Sequence, residues 1–124
     1  MIVVDSSGWL EYFADGPNAS FFEKALQHTE NLLVPSISLY EVFKKISLER
    51  DENFAIQAVA LMQQGQVVEL DSTLALSAAK LSLEYRIPMA DSVILATARK
   101  HNAVLYTQDA DFDGIPGVKF KKKS

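Results

Sequence analysis

The chain contains no cysteine, so disulfides and thiolate metal sites are excluded. That lack matches a reducing cytoplasm, which is the expected location. Long hydrophobic runs are also missing, and nothing approaches the ~20 apolar residues that cross a bilayer. Met1-Ile2-Val3-Val4-Asp5 has no basic segment ahead of its brief apolar run, so a secretory signal is not expected. Nor is there an excess of positive charge: 12 Lys and Arg stand against 16 Asp and Glu, for a formal net charge of −4. Global charge therefore offers nothing to a polyanion. A nucleic-acid partner would need a local basic patch, or metal ions that neutralise nearby carboxylates. Repeats, linkers and low-complexity stretches are absent as well.

What is present describes a folded domain. With 48% hydrophobic and 23% charged residues, the composition is that of a globular protein. A length of 124 residues suits one domain spanning 1–124. Such a domain buries roughly two-thirds of its unfolded surface.

Periodicity divides the chain into alternating elements. Ile2-Val3-Val4, Leu32-Leu33-Val34, Val67-Val68-Glu69-Leu70, Ala103 to Thr107 and a short Val118-Lys119-Phe120 read as strands. Helical spacing covers Ser6 to Phe13, Ala19 to His28, Ile37 to Leu48, Asn53 to Gln63, Thr73 to Tyr85 and Ala90 to His101. Ser36 or Ser38 is the expected cap of the third helix, Asn53 of the fourth, and Asp71 with Ser72 of the fifth. Strands alternating with helices imply a mostly parallel sheet of 4–5 strands covered on both faces, a three-layer α/β/α sandwich. In open sheets of this kind, ligands bind beyond the carboxyl ends of the strands.

Acidic residues gather at those ends. Asp5 closes the first strand, Glu41 lies about one turn into the helix after the second, and Asp91 lies near the start of the helix leading to the fourth. Asp109 and Asp111 follow the fourth strand. Each has an ordinary structural role to play alone: Asp5 and Asp91 as helix caps, Glu41 as a solvated helix residue, Asp109 and Asp111 as turn formers. Their apolar flanks, such as Val93-Ile94-Leu95, make carboxylates costly there unless they are paired or hold a metal. No histidine or cysteine accompanies them, and an all-oxygen cluster suits hard cations, chiefly Mg²⁺ or Mn²⁺. Such an ion would also supply the positive charge that a phosphodiester requires, with hydrolysis by a water that it activates. For phosphate contacts, Lys44 and Lys45, a turn beyond Glu41, are the best local candidates. The Lys121-Lys122-Lys123 run reads as a solvated tail.

Four segments carry a resemblance that covers nearly the whole chain. They are Ile2-Val3-Val4-Asp5-Ser6-Ser7, Ser36-Ile37-Ser38-Leu39-Tyr40-Glu41-Val42, the run from Pro88 to Ala98 around Asp91, and Leu105-Tyr106-Thr107-Gln108-Asp109-Ala110-Asp111-Phe112. In these the chain resembles the PIN domain, and in size and order the VapC-type toxins of toxin–antitoxin pairs. The resemblance implies Asp5, Glu41 and Asp91 as catalytic metal ligands, with Asp109 as the fourth acid and Asp111 as the less favoured occupant. It puts Ser7 in position to hold Asp5 or a water, and Thr107 in position to orient the fourth acid. It further implies a metal-dependent endoribonuclease that cuts RNA, a cognate antitoxin that covers the acidic site, and a homodimer.

Three rival readings use the same residues. A phosphoacceptor receiver domain would draw on Asp71 and Thr107, but it wants paired acids after the first strand, where Ser6-Ser7 stand. An aspartyl-phosphate phosphatase wants an Asp at Ser7. A non-catalytic binding module on the same fold would have lost acids that here are all in place.

Overall fold

A computed structural model describes all 124 residues. Five strands form one sheet: β1 (Ile2–Val4), β2 (Leu32–Pro35), β3 (Gln66–Val68), β4 (Val104–Thr107) and β5 (Val118–Phe120). Their spatial order is β3-β2-β1-β4-β5, and every pair is parallel. Six helices join them: α1 (Ser6–Phe13), α2 (Ala19–Leu26), α3 (Ser36–Glu49), α4 (Glu52–Met62), α5 (Ser72–Tyr85) and α6 (Met89–Lys100). No helix is long and apolar enough to cross a membrane.

Successive strand residues face opposite ways, and the core divides accordingly. Val4, Leu32 and Val34 pack with Trp9, Phe22, Val42, Ala55 and Met62 from α1 to α4. Val3, Leu33 and Leu105 pack on the other face with Ile94, Leu95 and Ala98 of α6, and with Phe112 and Ile115 after β4. Because both faces are covered, the central strands read as unbroken apolar runs. The expected three-layer α/β/α architecture is the one observed.

Helix starts depart from expectation in two places. Asn53 does not cap α4; Asp51 does, in extended backbone, accepting from the Phe54 N–H at 2.7 Å. Neither Ser36 nor Ser38 caps α3, which begins directly after Pro35 with no side-chain cap. The strand runs into the helix without a loop, and Ser38 is turned into the interior. Asp71 caps α5 as expected, accepting from Leu74 N–H at 2.8 Å, which leaves it away from the acid cluster.

The chain leaves β1 toward β2 and β3, then crosses back to add β4 and β5 on the other side of β1. The order therefore reverses between β1 and β4. Parallel strands splayed by such a reversal open a crevice at their carboxyl ends. Asp5 and Thr107 stand at the two ends that flank it.

Candidate active site

Asp5 is the most constrained of the acids. It is buried, yet its carboxylate is saturated with donors. The Gly8 N–H donates to Oδ1 at 3.0 Å, so Asp5 also caps α1. The Ser7 hydroxyl lies 2.9 and 3.0 Å from the two oxygens, and the Thr107 hydroxyl donates to Oδ2 at 2.7 Å. Thr107 is fully buried, and its Oγ1 accepts from the Asp109 N–H at 2.9 Å. The hydroxyl thus links the end of β4 to Asp5 and fixes the turn that presents Asp109. Burial pushes the Asp5 carboxyl up to about 6, against the pull of its donors from Thr107, Ser7 and Gly8.

Asp91 stands in the first turn of α6, where Pro88 rather than Asp91 is the capping residue. Its carboxyl is raised further, to about 8, by burial and then by the negative charges of Asp109, Asp5 and Asp111. A half-buried acid ringed by three others keeps its proton near neutrality. Oxygens of Asp91, Asp109 and Asp111 all lie within 4.8 Å of one another. Asp109 caps the short turn Ala110–Phe112 through the Asp111 N–H at 2.9 Å. Both turn-forming and cluster-forming roles therefore fall on the same residue.

Glu41 joins from α3. The Ser6 hydroxyl donates to its Oε1 at 2.6 Å and stands 3.2 Å from the buried Ser38 hydroxyl. Together these groups line a cleft of about 240 Å³ formed by Asp5, Ser6, Ser7, Leu10, Glu41, Lys45, Asp91 and Asp109. Lys45 belongs to this lining, although its ammonium also meets Glu49 at 3.2 Å. Lys44 does not: it leans on Tyr40, in an apolar groove of about 700 Å³ between α3 and α4. Asp111 does not line the cleft, but it touches it through Asp91.

The sequence alone does not single out Ser6, Asn18 or Gln108, and it offers Ser38 only as a helix cap. The buried Asn18 amide donates to Gln108 Oε1 at 2.9 Å and to the Lys122 carbonyl at 3.1 Å. Gln108 Nε2 in turn reaches the Ser7 carbonyl at 3.4 Å. The only signal is position, since Gln108 lies between Thr107 and Asp109 and Ser6 follows Asp5.

The donor set consists of carboxylates alone, with mutual repulsion that only protons or a cation relieve, and this chemistry fits a hard divalent ion. An α/β protein with such a cluster at the reversal point of its sheet has the makings of a phosphoryl-transfer site. The PIN domain profile matches residues 2–118. The chain belongs to the PIN domain family. Solved structures agree on the fold. A toxin–antitoxin complex from Klebsiella pneumoniae superposes with a TM-score of 0.82 at 24% identity, covering 100% of both chains. Mycobacterium tuberculosis VapC20, described as a sarcin–ricin loop cleaving toxin, gives 0.78 at 18%, covering 94% of this chain and 95% of that one. A DNA-bound VapBC from Salmonella typhimurium gives 0.78 at 17%, covering 98% and 96%. No curated protein sequence matches the chain.

Proposed function

We propose that this chain is a divalent-metal-dependent endoribonuclease, the toxin of a toxin–antitoxin pair, acting on RNA in the cytoplasm. One observation carries the proposal: Asp5, Glu41, Asp91 and Asp109, separated along the chain, line a single cleft at the carboxyl edge of the sheet. Asp91 and Asp109, with Asp5 and Glu41 beside them and Asp111 at the margin, would hold Mg²⁺ or Mn²⁺. When bound, such an ion supplies a nucleophile from water at neutral pH and counter-charge for the phosphodiester.

The chain's own groups do the positioning. Ser7, Gly8 and Thr107 fix both oxygens of Asp5, leaving its orientation no freedom. Ser6 does the same for Glu41. Lys45, on the cleft wall, offers an ammonium to a substrate phosphate. Several structural neighbours are toxin–antitoxin complexes, which supports a separate antitoxin chain as the partner that silences the site. Pairing as a homodimer belongs to the same proposal.

Purified chain incubated with total cellular RNA tests this reading. Discrete fragments are expected with Mg²⁺ or Mn²⁺, and none with EDTA or with Asp5→Asn. Cleavage by the folded Asp5→Asn variant, or cleavage in EDTA, would overturn the roles assigned.

A further inference from the structure

We propose that Lys119, Lys121 and Lys122 form a phosphate-binding strip that holds single-stranded RNA on one flank of the acid cleft. This inference rests on the ribonuclease reading for the identity of the polyanion. It arises from where β5 ends. The strand is parallel to β4, so its carboxyl end emerges on the same edge as Asp5, Thr107 and Asp109. The Lys121 N–H donates to the Thr107 carbonyl at 3.0 Å, extending the ladder beyond β5. The hydroxyl of that same Thr107 holds Asp5. Two strand spacings separate Lys121 from Asp5, roughly 10 Å, about the reach of one or two nucleotides.

The segment is not a loose tail at its start. Asn18, buried and held by Gln108, donates to the Lys122 carbonyl at 3.1 Å. The lysines themselves are exposed and form no ion pair. Lys119 Nζ lies 5.4 Å from the Tyr106 ring centroid and Lys121 Nζ 5.9 Å from that of Phe21. Phe21 and Tyr106 adjoin each other at 5.5 Å, and both keep part of their surface in solvent. Cations free of carboxylates, lying beside half-exposed aromatic rings, suit a single strand, which offers phosphates to the one and bases to the other. In a chain of net charge −4, the run Lys119 to Lys123 carries lysine at four positions out of five, none of them in an ion pair. Lys45 lies across the cleft on α3. A strand seated between Lys45 and the β5 strip would pass over the carboxylates.

The test is binding of a fluorescein-labelled, mixed-sequence 20-nucleotide RNA to the full chain in EDTA, across a range of salt. The Lys119→Ala, Lys121→Ala, Lys122→Ala triple variant is compared with a charge-matched Lys80→Ala, Arg86→Ala, Lys100→Ala control. Alanine keeps the backbone carbonyl that Asn18 holds, and thermal unfolding verifies the fold of each variant. The strip variant is expected to bind at least tenfold more weakly. Its slope of log affinity against log salt should be shallower by about 2, at ~0.7 for each phosphate no longer neutralised. A triple Lys→Arg variant should restore both, while the control should lose less than threefold. Equal losses in strip and control variants, or no RNA binding by the unaltered chain, would overturn the strip. Cleavage is scored separately on the unaltered chain. RNA bound through these lysines but never cut would sink the nuclease reading and leave the strip standing.

Discussion

At the scale of single residues, the site is a matter of hydroxyls serving carboxylates. Thr107 is the pivot, because its one buried oxygen donates to Asp5 and accepts from the Asp109 N–H. Thr107→Val keeps the shape and removes both bonds, taking the shorter of two donors from the buried Asp5 Oδ2 and leaving the Asp109 N–H unpaired. Urea unfolding should show a loss of about 2 kcal/mol, with Thr107→Ser recovering most of it. An unchanged stability would mean that these bonds hold nothing in place. Asp5, Glu41 and Asp91 are legible in the sequence because carboxylates set against apolar flanks are anomalous, whereas Asp109 and Asp111 stand out only by following a strand. The supports of these acids are not legible. Ser6 meets Glu41 across 35 residues and Asn18 meets Gln108 across 90. Ordinary polar residues acquire a role only when the fold joins them, so no local pattern announces them. Lys44 and Lys45 show the same limit. Adjacent in sequence, they diverge around α3, one into the apolar groove and one into the cleft.

At the scale of elements, all strands and helices are visible in the periodicity, while their first residues are harder to fix. The α4 cap is Asp51 and not Asn53 because a carboxylate three residues before Phe54 reaches its N–H better than a residue already inside the first turn. The α3 start is hidden because β2 passes straight into it at Pro35. Packing imposes a tighter demand on α1. A Cβ at Gly8 would stand 2.6 Å from Val4 Cγ1 and from Phe22 Cε1, so α1 lies on β1 and α2 only if that position carries no side chain. Gly8→Ala should therefore destabilise the chain by roughly 1–2 kcal/mol, overpacking outweighing the better helix propensity of alanine. Thermal unfolding reads this directly. A more stable variant would show that α1 shifts freely, in which case the Gly8 N–H bond to Asp5 is not fixed by packing.

At the scale of the whole molecule, the carboxylate cluster makes stability depend on pH in an unusual direction. Asp5 and Asp91 bind their protons more tightly in the folded chain, near 6 and near 8, than at the ordinary value of 3.8. Raised folded-state values mean that their stabilisation is complete below about pH 4 and is lost as pH rises through 6 and then 8. In EDTA, the melting temperature should fall between pH 5 and 8.5. Asp91→Asn should abolish the upper part of that fall. With the shift discounted for the partial exposure of Asp91, the gain at pH 8.5 is roughly 1 kcal/mol, or about 4 °C. A melting temperature that rises across this window would contradict the proton-holding character of the cluster. The fold that brings this about is readable in outline, since alternating strands and helices dictate a parallel sheet with its site at the carboxyl edge. The reversal of strand order between β1 and β4 is not, because which strands become neighbours is decided by long-range packing and not by any one segment.

The central claim is that these acids exchange protons for a divalent ion. Calorimetric titration of the chain with Mn²⁺ at pH 7, repeated in buffers of different ionisation enthalpy, addresses it most directly. Saturable binding is expected, with about one proton released per ion, because Asp91 must surrender the proton that it keeps in the absence of metal. Asp91→Asn should lose both the binding and the release. Binding without proton release, or binding that survives Asp91→Asn undiminished, would contradict it.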